Sequence, residues 1–255
     1  MSSPAPRTPP IRAVDGAPSR PDAPSGPVPG SPEWWAGHEA RLGRRRPRAA
    51  GLTLERILDE ALAVVDADGL DALTVRYLAE RLSTGSSSLY RHVASRDELL
   101  VLLVDRVLGD VPLTPATQDP RAAVEQLSLD LRRVLLAHPN VVPALRTTPL
   151  GGPHARRASE TGLTLLLAVG YPPDVAVNGF LALLDYVLGS VLFDSAAGAR
   201  SSSPDDVDSS VGAGPLMAPL VEAWLGADSD RVFAFGLTTF LDGLAVRTAH
   251  ASSDR

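Results

Sequence analysis

The 255-residue sequence contains no cysteine and no lysine. The lack of cysteine excludes disulfides, thiolate metal sites and a cysteine nucleophile, and it fits a reducing compartment. With lysine absent, all 24 basic side chains are arginine, a pattern typical of coding bias. No uncharged apolar run approaches the roughly 20 residues of a membrane span, because Asp185 interrupts the richest stretch, Phe180–Phe193. The N-terminus also lacks a basic region followed by an apolar one, so we expect a cytoplasmic protein with no membrane partner.

Motifs of enzymes are missing as well. The sequence has no Gly-rich phosphate loop, no HExxH and no Gly-x-Ser-x-Gly, and its five histidines are scattered without paired metal-ligand spacing. The run Gly85–Ser88 resembles a nucleophile turn, but no predicted strand precedes it. The sequence therefore predicts neither an enzyme nor a metal or cofactor site.

The net charge of −6 argues at first against a nucleic-acid partner, because duplex DNA is a dense polyanion. The distribution of charge indicates otherwise. The segment Arg41–Leu108 has eleven arginines against ten acids, whereas Gly109–Arg255 has ten arginines against sixteen acids. Positive charge is thus concentrated in one part of the chain, and the acidic remainder would be held off DNA.

The first predicted segment, residues 1–48, is a disordered tail that ends in an arginine-rich arm. Up to about residue 40 it is crowded with Pro, Ser, Gly and Ala and shows no apolar periodicity. Trp34 and Trp35 either dock on the folded body or stay exposed in the tail. The arm is either a solvated charge run or an extension that inserts arginine into a minor groove, and its position favours the extension. Its predicted DNA contacts are Arg44, Arg45 and Arg46.

Residues 49–108 show helical periodicity in four short pieces. A first helix begins near Thr53 and stops at Gly69, and Thr74 caps a second. After the turn Ser83–Gly85 comes a short helix from about Ser86 to His92. Ser95 then opens a helix that runs to about Leu108, with the capping-box spacing Ser95-x-x-Glu98. Two short helices joined by a tight turn predict a helix-turn-helix, whose second helix enters a major groove.

The second of these helices carries the side chains suited to DNA. Its serines can bond base edges or bridging waters, and its aromatic and charged side chains suit phosphate or guanine. Each residue alone is equally explained as a polar helix start or a core-edge side chain, but together they favour DNA contact. Flanking arginines would clamp the adjacent backbone. The predicted contacts are Ser86, Ser87, Ser88, Tyr90, Arg91, His92, Arg76 and Arg96.

These residues resemble the DNA-binding domain of the TetR family of transcriptional regulators over Thr53–Leu108. The matching motifs are LTVRYLAERL, SLYRHV and RDELL. The resemblance implies phosphate contacts for Tyr90 and His92 and base contacts near Ser86, Ser87, Ser88 and Arg91. Two departures stand out: Ser83-Thr84 replaces the usual Gly-Val of the turn, and the three serines offer no Arg, Asn or Gln fork for reading bases.

Residues 109–255 are predicted as helices over 122–138, 155–169, 174–193 and 231–250, with a short piece within 219–225 and a mobile loop over 195–215. The whole chain is thus all-α, with an N-terminal three-helix helix-turn-helix domain and a C-terminal helical ligand-binding and dimerisation domain. The C-terminal part resembles the tetracycline-repressor branch in Leu131–His138, Gly170-Tyr171, Leu188–Leu192 and Phe235–Phe240. This implies a homodimer held by a four-helix bundle built from 174–193 and 231–250. The faces assigned to that bundle, which could instead fill an intrachain core, are Phe180, Leu184, Val187, Leu188, Val191, Phe233, Leu237, Phe240, Leu241 and Leu244.

The drug chemistry of that branch is not carried over. The histidine and the acidic residue that help hold a drug-bound magnesium fall on Ala144-Leu145 and Phe193, and polar pocket residues fall on Leu127 and Gly162. We therefore expect an apolar pocket without metal, whose leucines could equally be plain core. The predicted lining is Leu127, Leu131, Leu145, Leu166 and Phe193, with Arg146 and Thr148 as polar contacts.

The resulting functional prediction is a ligand-responsive, DNA-binding transcriptional regulator. It would block a palindromic operator of double-stranded DNA as a homodimer and be released by a small apolar effector. The alternative is a small-molecule sensor or an activator in which the helix-turn-helix does not block an operator.

Overall fold

The computed structural model describes residues 26–44, 52–199, 220 and 227–253, and it places side chains for 26–41, 52–194, 220 and 227–247. The described residues form helices and 3-10 turns and contain no strand, which confirms the all-α prediction. The helices are α1 Pro32–Arg44, α2 Leu54–Asp68, α3 Val75–Arg81, α4 Ser86–Tyr90, α5 Arg96–Leu108, α6 Pro120–Ala137, α7 Val142–Leu145, α8 Pro153–Val169, α9 Pro173–Ala199 and α10 Ser229–Ser253. Short 3-10 turns lie at Leu70–Ala72 and Pro139–Val141.

Helices α2 to α5 form the helix-turn-helix unit. The hydroxyl of Thr53 accepts a hydrogen bond from Arg56 N, that of Thr74 from Tyr77 N and that of Ser95 from Glu98 N. The caps predicted at Thr74 and Ser95 are therefore confirmed, and Thr53 caps a helix for which the sequence predicted only the start. The buried face of α2, at three- to four-residue spacing, packs against α3 and α5. Helix α5 is buried along nearly its whole length, because it contacts both this unit and α8.

The turn between α3 and α4 is a Schellman motif. Thr84 N donates to Ala79 O at 2.9 Å, and Ser83 N donates to Glu80 O at 3.0 Å. This pattern needs a left-handed residue after the helix cap, a position where glycine is usual. Ser83 occupies it with φ of 50°, the one positive φ of a non-glycine residue in the described part. The turn geometry is therefore kept despite the replacement of glycine, at some cost in backbone strain.

Helix α1 corrects the prediction of a disordered tail over its described part. Residues 32–44 are helical, and Trp34 and Trp35 are buried, each with 5% of its surface exposed. The two indoles pack edge to face at 4.9 Å and join the main apolar core. Composition hid this helix because its burial rests on two aromatic residues rather than on a periodic apolar stripe. Residues 1–25 and 45–51 lie outside the described part, and with them most of the predicted arm.

The C-terminal helices α6, α8 and α9 pack on one another, and α10 packs on α9 and α6. Helix α9 extends to Ala199, so the predicted loop begins at least five residues too early; the rest of that loop and the 219–225 piece, apart from Leu220, are not described. The segment Pro173–Asp194 is long and apolar enough to cross a membrane by length and composition alone, a criterion that a soluble core helix also meets. Here it packs within the helical bundle.

The strain at Ser83 can be tested by substitution. We expect Ser83→Gly to leave the free energy of unfolding unchanged or to raise it by up to about 1 kcal/mol, since relief of left-handed strain offsets the entropy that glycine adds to the unfolded chain. Ser83→Val should lower it by about 1–2 kcal/mol because a β-branched side chain disfavours this conformation. Denaturant titration measures both. A loss of more than about 1 kcal/mol in Ser83→Gly would show instead that the serine hydroxyl stabilises the turn.

Candidate DNA-binding surface and effector pocket

Helix α4 presents its polar side chains outward because two apolar residues fix its inner face. Leu89 and Val93 are buried, and Val93 N and His92 N both donate to Leu89 O, at 2.9 and 2.8 Å. Ser87, Tyr90 and Arg91 are consequently exposed, and Tyr90 has 54% of its surface in solvent. An exposed tyrosine on so short a helix contributes little to the core. Its hydroxyl is placed to donate to a phosphate oxygen.

Arginines on both sides of α4 differ in what they contact. Arg91 Nη2 donates to Ser88 Oγ at 2.8 Å, which orients one basic and one hydroxyl group together at the surface. Arg76 pairs with Glu80 at 3.1 Å on the exposed face of α3. Such a surface pair is weak and can open to meet a phosphate.

Arg96 has a structural role that the sequence did not predict. Its Nε donates to Leu73 O at 3.1 Å and its Nη2 to Leu70 O at 2.9 Å, so it closes the 3-10 turn between α2 and α3. These contacts account for the side chain without a clamp on the DNA backbone. Arg44 lies at the last residue of α1, with its side chain outside the described part, as are Arg45 and Arg46 entirely.

Glu98 is a buried carboxylate in the first turn of α5, and the sequence predicted only a capping role for it. Its Oε2 accepts from Ala94 N at 2.8 Å rather than from Ser95 N, so the predicted capping box forms with a shifted partner. Its Oε1 faces His38 Nδ1 at 3.6 Å and Arg41 Nη2 at 3.5 Å, both on α1. Burial alone would raise the pKa of Glu98, but the contacts with His38, Ala94 N and Arg41 bring that pKa below its ordinary value.

A cavity lies between α6, α8 and α9. Its interior is about 110 Å³, and about 830 Å³ of empty space lies between its walls when the open mouth is included. All lining side chains are apolar except Ser128 and Ser159, whose hydroxyls donate to Val124 O and Ala155 O at 2.9 Å within their own helices. The cavity thus offers no charged group, and the described part of the chain contains no cluster of three or more potential metal ligands.

Four of the predicted pocket residues line this cavity: Leu127, Leu131, Leu145 and Leu166. The prediction for Phe193 is wrong. Phe193 is 76% exposed, because it lies nearly half a helical turn around α9 from the lining residues Leu184 and Leu188. Arg146 is exposed and Thr148 is buried, and neither lines the cavity.

Gly162 shapes the pocket because it has no side chain at a point where the ring of Phe180 packs closely against the backbone of α8. A Cβ atom at this position would lie 2.8 Å from Cε2 of Phe180 and 3.7 Å from Cδ2 of Leu127. The ring of Phe180 therefore occupies the space that a side chain at 162 would fill. Sequence reasoning noted the glycine only as the loss of a polar residue.

Two capping contacts join the helix-turn-helix unit to the C-terminal helices. Asp105 on α5 is buried, and its Oδ1 accepts from His154 N at 3.1 Å and from Ala155 N at 3.0 Å at the start of α8. Asn140 Nδ2 donates to Val65 O and Asp66 O, at 3.0 and 3.1 Å, where α2 ends. Because Gly152 supplies no side-chain cap to α8, Asp105 performs that role from another domain.

Half of the α9 and α10 side chains that were assigned to a dimer interface are buried in the intrachain core, and the other half are partly exposed. Val187, Val191, Phe233, Leu237 and Leu241 are all buried within the single chain. A different set of apolar side chains on these two helices is exposed, namely Val177, Leu181, Phe193, Val232, Phe235 and Val246.

Arg132 fastens α6 to both of these helices. It is buried, and its guanidinium donates to Asp194 Oδ2 at 2.6 Å and to Asp230 Oδ1 at 2.5 Å. It also lies 4.8 Å over the ring of Phe233. A buried, doubly paired arginine holds the ends of α9 and α10 in a fixed relation.

A short outward-facing helix after a Schellman turn, joined to a bundle that encloses an apolar cavity, defines a ligand-responsive helix-turn-helix regulator. Comparison with known proteins gives the family. Residues 57–103 match the model for bacterial regulatory proteins of the tetR family, and residues 111–248 match the tetracyclin repressor-like C-terminal domain. The chain belongs to the TetR family of transcriptional regulators.

Individual relatives agree with this assignment. The chain is 33% identical over 225 residues to the HTH-type transcriptional repressor DrrR1 of Streptomyces coeruleorubidus, covering 81% of this chain and 83% of that one. It is 30% identical to the class A tetracycline repressor from transposon 1721 of Escherichia coli, covering 75% and 89%. Streptomyces coelicolor ActR, solved in complex with actinorhodin, superposes with a TM-score of 0.70 at 33% identity, covering 77% and 98%. The chain is a ligand-responsive, DNA-binding repressor that forms homodimers.

The role of α4 can be tested with two substitutions. We expect Tyr90→Phe to weaken binding to a duplex selected on the wild-type protein about fivefold, since one hydrogen bond of about 1 kcal/mol is lost. Arg91→Ala should weaken it about tenfold and reduce the slope of log affinity against log salt by about one. Fluorescence anisotropy across a salt series measures both effects.

Tyr77→Phe is the matched control for these substitutions. It removes a tyrosine hydroxyl from the same domain, but that hydroxyl donates to Asp68 Oδ2 at 3.0 Å. It should leave affinity for the duplex unchanged. A fall in melting temperature for Tyr90→Phe as large as the fall for Tyr77→Phe, with unchanged DNA affinity, would make Tyr90 a structural residue.

Proposed function

We propose that this repressor binds its operator through α4 and its flanking arginines and is released by an uncharged, largely apolar effector held between α6, α8 and α9. The observation that supports the effector class is the cavity wall, where every lining group is apolar except two serines already bonded to backbone carbonyls. An ionised ligand would lose its hydration there without gaining a partner, which costs several kcal/mol. A magnesium-chelated drug would likewise find no protein ligand.

The proposed DNA contacts are Ser86, Ser87, Ser88, Tyr90, Arg91 and His92, with Arg76 beside them. Ser87, Tyr90 and Arg91 are exposed and the other three are partly exposed in and just after α4, which supports direct contact. Arg44, Arg45 and Arg46 belong to the same proposal as an arm. We infer that the dimer forms through the exposed apolar side chains of α9 and α10, because large exposed apolar side chains on two neighbouring helices are typical of a subunit interface. Phe193 and Phe235, each 76% exposed, are its largest members. We also infer that the protein acts in the cytoplasm as a regulator and not as an enzyme.

Release would follow from the way the cavity is built. Leu108 at the end of α5 lines the cavity together with residues of α8, and Asp105 ties the same helix to the start of α8. An effector that separates α8 from α6 moves this junction and thereby changes the spacing of the two recognition helices in the dimer. The effector achieves this only by binding the non-operator state more tightly than the operator-bound state.

A gel shift on the DNA upstream of the gene tests the function. We expect a retarded band at low salt that fades as salt rises, because the phosphate contacts release counterions. Neutral apolar metabolites should reverse the shift, whereas magnesium chloride with tetracycline should not. A protein that retards no local promoter at low salt would contradict the repressor function, and release by charged metabolites alone would contradict the effector class.

Gly162 allows the pocket to be tested without knowledge of the effector. We expect Gly162→Val to reduce binding of the neutral dye Nile red at least tenfold, because the new side chain and the displaced ring of Phe180 fill the cavity. Fluorescence titration measures the dye. Thr164→Val is the matched control, since it places the same side chain on the exposed face of the same helix. Equal dye binding by wild type and Gly162→Val would locate the apolar site elsewhere.

A further inference from the structure

Helix α1 precedes the part of the chain that matches the family models, which begins at residue 57. It is nevertheless part of the folded body, because Trp34, Trp35 and His38 are all buried. His38 stacks on Trp34 with ring centroids 4.9 Å apart. Helix α1 is therefore fixed to the folded body although it lies outside the range that the family models match.

One side of α1 packs on the C-terminal domain at the start of α8. A Cβ atom at Gly152 would lie 2.8 Å from Trp35 Cζ2 and 2.1 Å from Asp105 Oδ1, so the indole covers the point where Asp105 caps α8. Just before α1, the backbone at Gly30 lies against Pro149: a Cβ there would be 3.1 Å from the proline ring. The beginning of α1 thus contacts the segment that leads into a wall of the effector pocket.

The other end of α1 contacts Glu98 in the first turn of α5. Arg41 Nη2 lies 3.5 Å from Glu98 Oε1, and His38 Nδ1 lies 3.6 Å from the same oxygen. The second oxygen of Glu98 accepts from Ala94 N at 2.8 Å. Glu98 therefore joins α1 to the segment between α4 and α5, four residues after Tyr90.

We propose that α1 is a brace that positions the recognition helix relative to the pocket, with Trp35 as its contact to α8 and His38 and Arg41 as its contacts to Glu98. It runs beside α5 and gives a second mechanical connection between the effector site and α4. Movement at the start of α8 therefore reaches Ala94 through α1 as well as through α5. None of these side chains contacts DNA in this role, so they are positioning residues.

A double-mutant cycle on operator affinity tests the brace in the full chain. Trp35→Ala releases the α8 end and Arg41→Met releases the Glu98 end, and each should weaken binding to the selected duplex about fivefold. Because either change frees α4, the double variant should bind no more than about twofold weaker than the single ones. Losses that multiply to about 25-fold would show that the two ends act separately and would overturn the proposal.

Trp35→Phe is the conservative control. Trp35 Nε1 is buried without a hydrogen-bond partner, so phenylalanine removes no bond while keeping an aromatic ring near Gly152. It should restore most of the operator affinity that Trp35→Ala loses. Failure of this rescue, with a melting temperature equal to that of wild type, would also contradict the proposal.

Hydrogen exchange separates positioning from general loss of stability. Trp35→Ala should speed amide exchange at Ala94–Glu98, far from the substituted residue, by at least fivefold. Leu241→Ala, buried in the second apolar cluster, is the control that lowers stability without touching α1. If Trp35→Ala fails to fold, Arg41→Met takes its place, because the side chain of Arg41 is 55% exposed. Amide exchange is then measured at the opposite end of α1, at His154 and Ala155. Unchanged exchange at the far end in whichever variant folds would overturn the brace.

Discussion

The carboxylate of Asp105 accepts two backbone N–H groups at the start of α8, and the relation between the two domains depends on this contact. Asp105 belongs to α5, which packs throughout its length against the helix-turn-helix unit, while α8 forms a wall of the effector pocket. The first N–H groups of a helix have no partner within it, and a buried helix start needs an acceptor from elsewhere. Here the acceptor comes from the helix-turn-helix unit, so these hydrogen bonds join that unit directly to a wall of the pocket.

Around this junction the chain divides its apolar surface among separate tasks. The main core unites α1, α2, α3 and α5 with the start of the C-terminal domain, and a second cluster packs α9 against α10. The wall of the cavity shares residues with both clusters, among them Leu145 of the first and Leu166 and Leu183 of the second. Apolar side chains left outside on α9 and α10 face the partner subunit in the proposed dimer. Long apolar helices that read as uniformly hydrophobic in sequence are thus shared between three interfaces.

Local signals in the sequence were reliable where the physics is local. Thr74 and Ser95 cap their helices as expected, since a cap requires only a hydroxyl three residues before an N–H group. Errors arose where the outcome depends on packing at a distance. Phe193 was expected in the pocket but lies on the opposite face of α9, and the bonds by which Arg96 closes the turn at Leu70–Ala72 were not foreseen. The sequence does not show which side of a uniformly apolar helix faces the core, nor which group an arginine will hydrogen-bond.

The sequence by itself determined the all-helical class, the family and the four leucines of an uncharged pocket, because periodicity, capping residues and motif spacing are properties of consecutive residues. Tertiary structure alone decided that α1 folds onto the junction and that Asp105 and Glu98 link distant segments. These outcomes depend on contacts between residues about 50 or more positions apart. Such contacts depend on how all the helices pack together, so they can be seen only in the folded structure.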